Sequence, residues 1–467
     1  MKSIQGRFRA AVLMGAAASV LVFAGGAKAQ DQSFNGDGNP NSSDNSWPYA
    51  TTGRSPVLAV VGDVSCQPGE EPSGEKAGEN CSGDKTQNLN ASQAATAAEI
   101  ESLKPDLVAL VGDEQYQVGQ YKDYENSYDL TYGAFKMITR PAPGNHEFYV
   151  EHGAIGVAGY GYFSYFNGVQ HNPDGTVMTA TIANNPDTGG TFTQPVPYSD
   201  GQAGHFEETG GLGNTVPAGG PVGVGDGWYS YNLGAWHFIS LNIECETQPG
   251  ACSSSGTWFA AETEWLKKDL DENHAPCTLA YWHQPTYSAA DSLTEEGITA
   301  GTWWQMLYDA GADLVLNGHD HLYARYAPIR PYFDSSDTSV AGVTGTWLGK
   351  PDPKRGIREF IVGTGGETLD TLVTAPCTTS GATECTAPVT PATDYDGIFN
   401  QQFLENGTGF YWGVMGLTLD PNGYKWDFES ALEAPLTGAP ASPTFSDTGS
   451  AACHGGPFGN NYGDDRR

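Results

Sequence analysis

Basic residues are scarce in this chain. Only 22 Lys and Arg stand against 55 Asp and Glu in 467 residues, a formal net charge of −33. No basic run occurs outside the N-terminal segment, and binding to free nucleic acid by counterion release needs clustered Lys and Arg, so no nucleic-acid partner is expected. The acidity suits solubility outside the cell. Long apolar stretches are equally rare, and nothing beyond residue 24 is long and apolar enough to make a membrane helix. There is no Cys-x-x-Cys pair, which disfavours a zinc ribbon, and no repeat of fixed period, which disfavours a solenoid or propeller.

An apolar fraction of 39%, with 11% aromatic residues, is enough for a substantial core, and 61 Gly with 29 Pro predict many loops. Residues 1–29 carry Lys2, Arg7, Arg9 and Lys28 with no acid, an apolar run over 10–24, and the ending Ala27-Lys28-Ala29. That is the pattern of a secretory signal peptide cleaved before Gln30, with an apolar run too short to span a bilayer comfortably. Gln30 rather than Cys stands directly after the cleavage point, so no lipid anchor is expected, and the lack of a later apolar run means no stable membrane anchor is expected either. The mature protein is read as secreted, extracellular or periplasmic. Losing the four basic residues takes the net charge from −33 to −37.

Eight Cys, at 66, 81, 245, 252, 277, 377, 385 and 453, then enter an oxidising compartment. Cys66 with Cys81, Cys245 with Cys252 and Cys377 with Cys385 could close small loops, leaving Cys277 and Cys453 as a longer staple. Spacing alone does not settle connectivity.

Residues 30–55 are rich in Asn, Ser, Asp and Gly and read as a loose leader. A single large domain over 56–433 follows. Apolar runs at 57–61 and 107–111, each ending in Gly-Asp, read as buried strands, with an Ala-rich helix at 91–103 between them. Helices at 260–273 and 298–310 precede strands at 279–282 and 313–316. A hairpin over 228–233 and 236–241, a strand at 360–362, and a pair at 410–419 and 424–430 around Pro421-Asn422-Gly423 complete the pattern. Residues 153–227 read as a Gly/Asn-rich insertion, a surface loop or small lobe, and 434–467 as a low-complexity, poorly ordered tail pinned by Cys453.

Polar residues follow these strand ends four times over, and in α/β sheets that edge is where sites form. Taken singly, Gly62-Asp63, Gly112-Asp113 or Gly144-Asn145-His146-Glu147 could each be a turn or a helix cap. His319-Asp320-His321 is stronger, because imidazoles two residues apart after a strand can serve one locus. Together Asp63, Asp113, Tyr116, Asn145, His283, His319 and His321 offer a mixed N/O donor set suited to Fe, Zn or Mn rather than Ca. One carboxylate can bridge two ions, and such a pair activates water and neutralises a phosphoryl group.

The ordered series Gly62-Asp63, Gly112-Asp113-Glu114-Gln115-Tyr116, Gly144-Asn145-His146-Glu147, Trp282-His283 and Gly318-His319-Asp320-His321 resembles the calcineurin-like metallophosphoesterases and, more narrowly, their purple acid phosphatase branch. Many members carry Asp-x-His in the first motif, where this chain has Asp63-Val64-Ser65. The purple acid phosphatases lack that His and supply a Tyr three residues after the second-motif Asp, as Tyr116 stands to Asp113.

The resemblance implies an α/β fold of two stacked mixed β-sheets flanked by helices. It implies that Asp63, Tyr116 and His321 hold a first metal, that Asp113 bridges, and that Asn145, His283 and His319 complete a second site. It further implies Fe(III) with a divalent ion (Zn, Mn or Fe) and a metal-bound hydroxide attacking a phosphate monoester. His146 would face the substrate, with Glu147 as its supporting partner. His152, His171 and His205 with Tyr160, Tyr162 and Tyr165 are candidate substrate contacts, although packing is the simpler role. The rivals are a phosphodiesterase using the same ions and a secreted binding protein with a decayed site.

Overall fold

A strand covered on both faces exposes neither set of side chains, so it reads as a continuous apolar run. VLAVV and LVALV are such runs and form β1 (Val57–Val61) and β2 (Leu107–Val111), joined through α1 (Leu89–Leu103) and paired in parallel, with Leu58 opposite Leu107. The structure is a computed structural model and describes residues 54–68, 89–148, 159–183, 191–197, 227–247, 257–288, 300–335, 346–370, 404–409, 411–433 and 445–455. The signal segment, almost all of the leader, His152 and His205 lie outside the described residues.

Next in the chain come α2 (Tyr121–Asn126), β3 (Thr139–Ala142), α3 (Asn145–Phe148), α4 (Tyr160–Asn167) and the hairpin β4 (Thr179–Ala183) with β5 (Thr191–Pro195). A second hairpin, β6 (Tyr229–Leu233) and β7 (Trp236–Ser240), turns at Gly234-Ala235 as its sequence predicts. Then follow α5 (Thr257–Glu272), β8 (Cys277–Tyr281), α6 (Gly301–Ala310) and β9 (Leu314–Asn317). The last strands are β10 (Tyr323–Tyr326), β11 (Ile329–Asp334), β12 (Thr346–Pro351), β13 (Arg358–Val362), β14 (Leu404–Thr408), β15 (Tyr411–Asp420), β16 (Gly423–Glu433) and β17 (Ser446–Ala452).

Two large mixed sheets result, in the orders β17-β16-β15-β1-β2-β3 and β14-β10-β13-β9-β8-β7-β6. Alternation along the second sheet shows how they stack. Phe238, Leu279, Tyr281, Leu314, Leu316, Phe360 and Val362 join Leu58, Val60, Val108 and Leu110 of the first sheet in one core. Their neighbours Ile239, Ala280, Val315 and Ile361 face the other way, onto Leu266 of α5 and Trp303, Trp304 and Leu307 of α6. On the far side Ala97 and Ile100 of α1 are buried with the first-sheet residues. The order is therefore helix, sheet, sheet, helix, as the resemblance implied.

Three expectations change. The 153–227 region contributes α4, whose eight residues are all buried. Tyr160, Tyr162 and Tyr165 thus belong to the core rather than to a substrate surface, and exposed His171 makes an isolated bridge with Val177. The tail contributes β17, paired antiparallel to β16 over seven register positions. Its SDTGSAA sequence lacks β-branched apolar residues, so no strand signal was visible. Asp447 secures it instead, accepting hydrogen bonds from Tyr323 Oη at 2.7 Å and Arg325 Nε at 2.7 Å. Third, β3 went unseen because TRPA carries Pro141, a residue that sheets admit at an edge, and β3 is an edge strand.

Cys277 and Cys453 are disulfide-bonded, 176 residues apart, fastening β8 of one sheet to the segment after the edge strand of the other. Cys66 and Cys245 are also disulfide-bonded, and Cys81, Cys252, Cys377 and Cys385 of the expected small loops lie outside the described residues. No helix among the described residues is long and apolar enough to cross a membrane.

Candidate metal centre

The parallel strands of both sheets end on the same side. Asp63 follows β1, Asp113 follows β2, Asn145 follows β3, His283 follows β8 and His319 follows β9. Each donor sits one to three residues past its strand, which is why apolar run plus polar residue was readable in the sequence. Asp63 (φ 59°), Asp113 (φ 50°) and His319 (φ 68°) are left-handed although none is glycine. Such residues cost roughly 1–3 kcal/mol each and persist where the surroundings hold them. Gly144 precedes Asn145 for a steric reason: a Cβ there would lie 2.1 Å from Asp113 Oδ1 and 2.4 Å from Asp113 N.

All seven sequence-predicted donors meet in one cluster of two halves. In the first, Tyr116 Oη lies 3.0 Å from Asp63 Oδ1, 3.1 Å from Asp113 Oδ2 and 2.9 Å from His321 Nε2. His321 Nε2 is 3.2 Å from Asp63 Oδ1. In the second, Asn145 Oδ1 lies 2.9 Å from His283 Nε2 and 3.0 Å from His319 Nδ1, and the two imidazole nitrogens are 3.3 Å apart. Asp113 Oδ2 is shared, because it is also 3.1 Å from His283 Nε2. Asp63, Asp113 and His283 bring one ligand atom each within 4.8 Å of the others.

These residues fit a pair of metal ions on three grounds. Donor separations of 2.9–3.3 Å match the edges of a coordination polyhedron, which measure about 3 Å when metal–ligand bonds are roughly 2.0–2.2 Å. His283 Nδ1–H donates to Val111 O at 2.9 Å and His321 Nδ1–H to Thr368 O at 2.6 Å, so each ring turns an Nε2 lone pair into the cluster. Metal-binding imidazoles are commonly fixed this way. Finally, the fully buried carboxyls of Asp63 and Asp113 bring negative charge to the cluster that cations would offset.

Each first-layer carboxylate is tied on its other oxygen. His319 N–H donates to Asp63 Oδ2 at 3.0 Å and His146 N–H to Asp113 Oδ1 at 2.9 Å. Burial pushes the Asp113 carboxyl up, but the imidazoles of His283 and His146 outweigh it and hold Asp113 well below the usual carboxylate range. Glu147 is not the partner of His146. Its Oε2 accepts from Asp113 N at 3.1 Å and Gly144 N at 2.8 Å, and its Oε1 from Gln115 N at 3.1 Å and Tyr124 Oη at 3.1 Å. It therefore clamps the loop after β2 to the turn after β3. Burial and the charge of Asp113 push Glu147 up to about 8, opposed by the N–H groups of Gly144 and Gln115. Burial, then Glu147, holds Glu114 well above its ordinary range.

His146 bonds through Nδ1 to Gln117 O at 2.6 Å and packs on Tyr116, with ring centroids 4.2 Å apart. Its Nε2 is 3.9 Å from Asp113 Oδ2, beside the cluster. Ser65, the residue two after Asp63, is fully buried. One supporting segment went unread in the sequence: the loop after β13, residues 363–370, whose Thr368 carbonyl holds His321. Gly363-Thr364-Gly365-Gly366-Glu367 following an apolar strand was the signal that could have found it.

Carboxylate, imidazole, phenol and amide donors gathered at the strand ends of two stacked mixed sheets define the metallophosphoesterase class. Residues 56–323, more than half of the chain, match the family described as Calcineurin-like phosphoesterase, and the chain belongs to that family. Within it the likeness runs to purple acid phosphatases. A stretch of 102 residues, 21% of this chain and 18% of the relative, is 34% identical to Purple acid phosphatase 15 of Arabidopsis thaliana. Another of 142 residues, 23% of each chain, is 28% identical to an Acid phosphatase of Aspergillus ficuum. These matches thus span a quarter or less of the relatives' own lengths. A solved purple acid phosphatase from yellow lupin (Lupinus luteus) seeds aligns with a TM-score of 0.41 at 16% identity, over 84% of this chain and 53% of that one.

Proposed function

We propose that the chain is a secreted phosphatase that hydrolyses phosphate monoesters at a centre of two metal ions. Asp63, Tyr116 and His321 would hold the first ion and Asn145, His283 and His319 the second, with Asp113 available to both. The observation that carries this reading is the convergence of two donor groups on Asp113 Oδ2, 3.1 Å from both Tyr116 Oη and His283 Nε2. The phenol among the first-half donors favours Fe(III) there, and the Asn/His/His set suits a divalent ion, Zn, Mn or Fe.

When bound, the two ions supply Lewis acidity for the phosphoryl oxygens and an acidified water as nucleophile. The chain does the rest. Buried Asp113, fixed through Oδ1 by the His146 N–H, keeps Oδ2 between the two halves. His146 donates its Nδ1 proton to Gln117 O, which leaves Nε2 as the ring nitrogen that can carry a proton to a leaving alkoxide. Glu147 holds the backbone of Asp113 and Gly144 in register, so the donors are in place before substrate arrives.

Metal analysis with a visible spectrum tests the proposal. Two ions per chain are expected, with a colour band that disappears in Tyr116→Phe. Fewer than about one ion per chain, or a band that survives the substitution, would sink the assignment. Parallel kinetics on a phosphate monoester and a diester should favour the monoester, and a large diester preference would move the protein to the phosphodiesterases.

A further inference from the structure

The half-cluster of Asp63, Tyr116 and His321 is held by a segment of its own. After β13 the chain crosses behind His321 and returns to it three times. His321 Nδ1–H donates to Thr368 O at 2.6 Å, His321 N–H donates to Asp370 Oδ2 at 2.9 Å, and Asp370 N–H donates to His321 O at 2.8 Å. The same segment reaches the other end of the half-cluster. Glu367 N–H donates to Asp63 O at 3.1 Å and Gly365 N–H to Gly62 O at 2.9 Å.

Its base is anchored in the first sheet, where Trp412 Nε1–H donates to Glu367 O at 2.6 Å and Thr364 Oγ1–H to Gly413 O at 2.8 Å. The second half is oriented from elsewhere: His283 by the carbonyl of Val111, the last residue of β2, and the Asp113 and Gly144 backbones by Glu147.

We propose that residues 363–370 form a strap whose side chain Asp370 is a positioning residue, setting how tightly the Asp63/Tyr116/His321 half holds its ion independently of the other half. This rests on the two-ion reading of the same cluster. The physical reason is that an imidazole binds a cation well only when its tautomer and ring plane are fixed beforehand. The strap fixes the tautomer through Thr368 O and the ring's backbone origin through Asp370. Without the Asp370 carboxylate the His321 N–H loses its acceptor and the Nε2 lone pair loses its aim. Removal of such an outer partner typically weakens metal affinity about 10–100-fold.

The test uses the full chain loaded with iron and zinc and dialysed against graded chelator, reading metal per chain and the visible band together. Wild type is expected to hold two ions and the band. Asp370→Ala is expected to release one ion at a chelator concentration lowered about 10–100-fold, with the band lost in step, while the second ion follows the wild-type curve. Asp370→Asn keeps an oxygen acceptor for the His321 N–H and should recover most of the loss. Asp370→Ser, too short to reach that N–H, replaces the alanine variant if melting of the metal-free protein shows that it does not fold.

Ions that leave both halves in parallel, or a curve unchanged from wild type, would overturn the strap while leaving the two-ion reading intact. Wild type that holds less than one ion would overturn both.

Discussion

Gly144→Ala puts the close packing of the centre to a direct trial. The new Cβ would stand 2.1 Å from Asp113 Oδ1 and 2.4 Å from Asp113 N. Unbonded heavy atoms sit comfortably at about 3.5–4.0 Å, so the two segments must part by more than about 1 Å. Neither can yield alone. Asp113 Oδ1 is held by the His146 N–H at 2.9 Å, and Glu147 Oε2 grips both Gly144 N at 2.8 Å and Asp113 N at 3.1 Å. The strain therefore falls on Asp113 Oδ2, the atom shared by both halves of the cluster. Overpacking of this kind costs about 1–3 kcal/mol of stability, and a misplacement near 1 Å costs on the order of 100-fold in rate.

The measurements are urea unfolding, metal per chain, and kcat/KM on a phosphate monoester. Gly175→Ala is the control, because its Cβ meets nothing within 4 Å and only the φ of +84° penalises it. That variant should lose about 1–2 kcal/mol and keep its activity. A Gly144→Ala protein with both ions and kcat/KM within about threefold of wild type would refute the packing account.

Two further outcomes concern the frame. Replacing Cys277 and Cys453 together by Ser opens a loop of 176 residues. Chain entropy for that length gives a loss of about 5 kcal/mol, read as a lowered urea midpoint, and a loss below about 1 kcal/mol would mean that sheet packing alone fastens the C-terminal strand.

Asp447 supplies a pH dependence. Burial pushes its carboxyl up, but hydrogen bonds from Arg325, Asn406 and Tyr323 and the Arg325 charge hold it below the usual range. An acid with a lowered folded-state pKa stabilises above its unfolded value, near 4, and that contribution disappears as pH falls through the folded value. Asp447→Asn should therefore unfold about 1–2 kcal/mol more easily from pH 5 to 7, allowing for partial solvent screening, and the gap should close below about pH 4. A gap independent of pH would assign the effect to packing.

The donors were legible because of where parallel strands leave their ends. β1, β2, β8 and β9 are apolar runs buried on both faces, and each ends in a polar residue that sequence alone could mark. β3 was hidden by Pro141, and β17 by a sequence of small and polar residues that pairs with β16 and is tied to the other sheet through Asp447 and the Cys277–Cys453 bond. The buried helix α4 was hidden inside a Gly-rich stretch. Tyr160, Tyr162 and Tyr165 were noticed for their chemistry, but they fill space in the core.

Glu147 shows the limit most clearly. Its place beside His146 in the sequence suggested a pair, whereas a short helix turns the two side chains to different tasks: His146 to Gln117 O and Glu147 to three backbone N–H groups.

The sequence by itself marked the candidate donors and their order along the chain, because ligand chemistry is carried by residue type and the strands advertise themselves by burial. It also determined the family, through five motifs in series. Only the tertiary structure decided the distances between the donors, which carbonyls orient His283 and His321, and that residues 363–370 close behind the Asp63/Tyr116/His321 half. Those contacts join residues far apart in the chain: Asp63 and His319, for one, are 256 positions apart. Such contacts depend on the stacking of two sheets, and no local pattern encodes the distance between atoms that meet only when both sheets are in place.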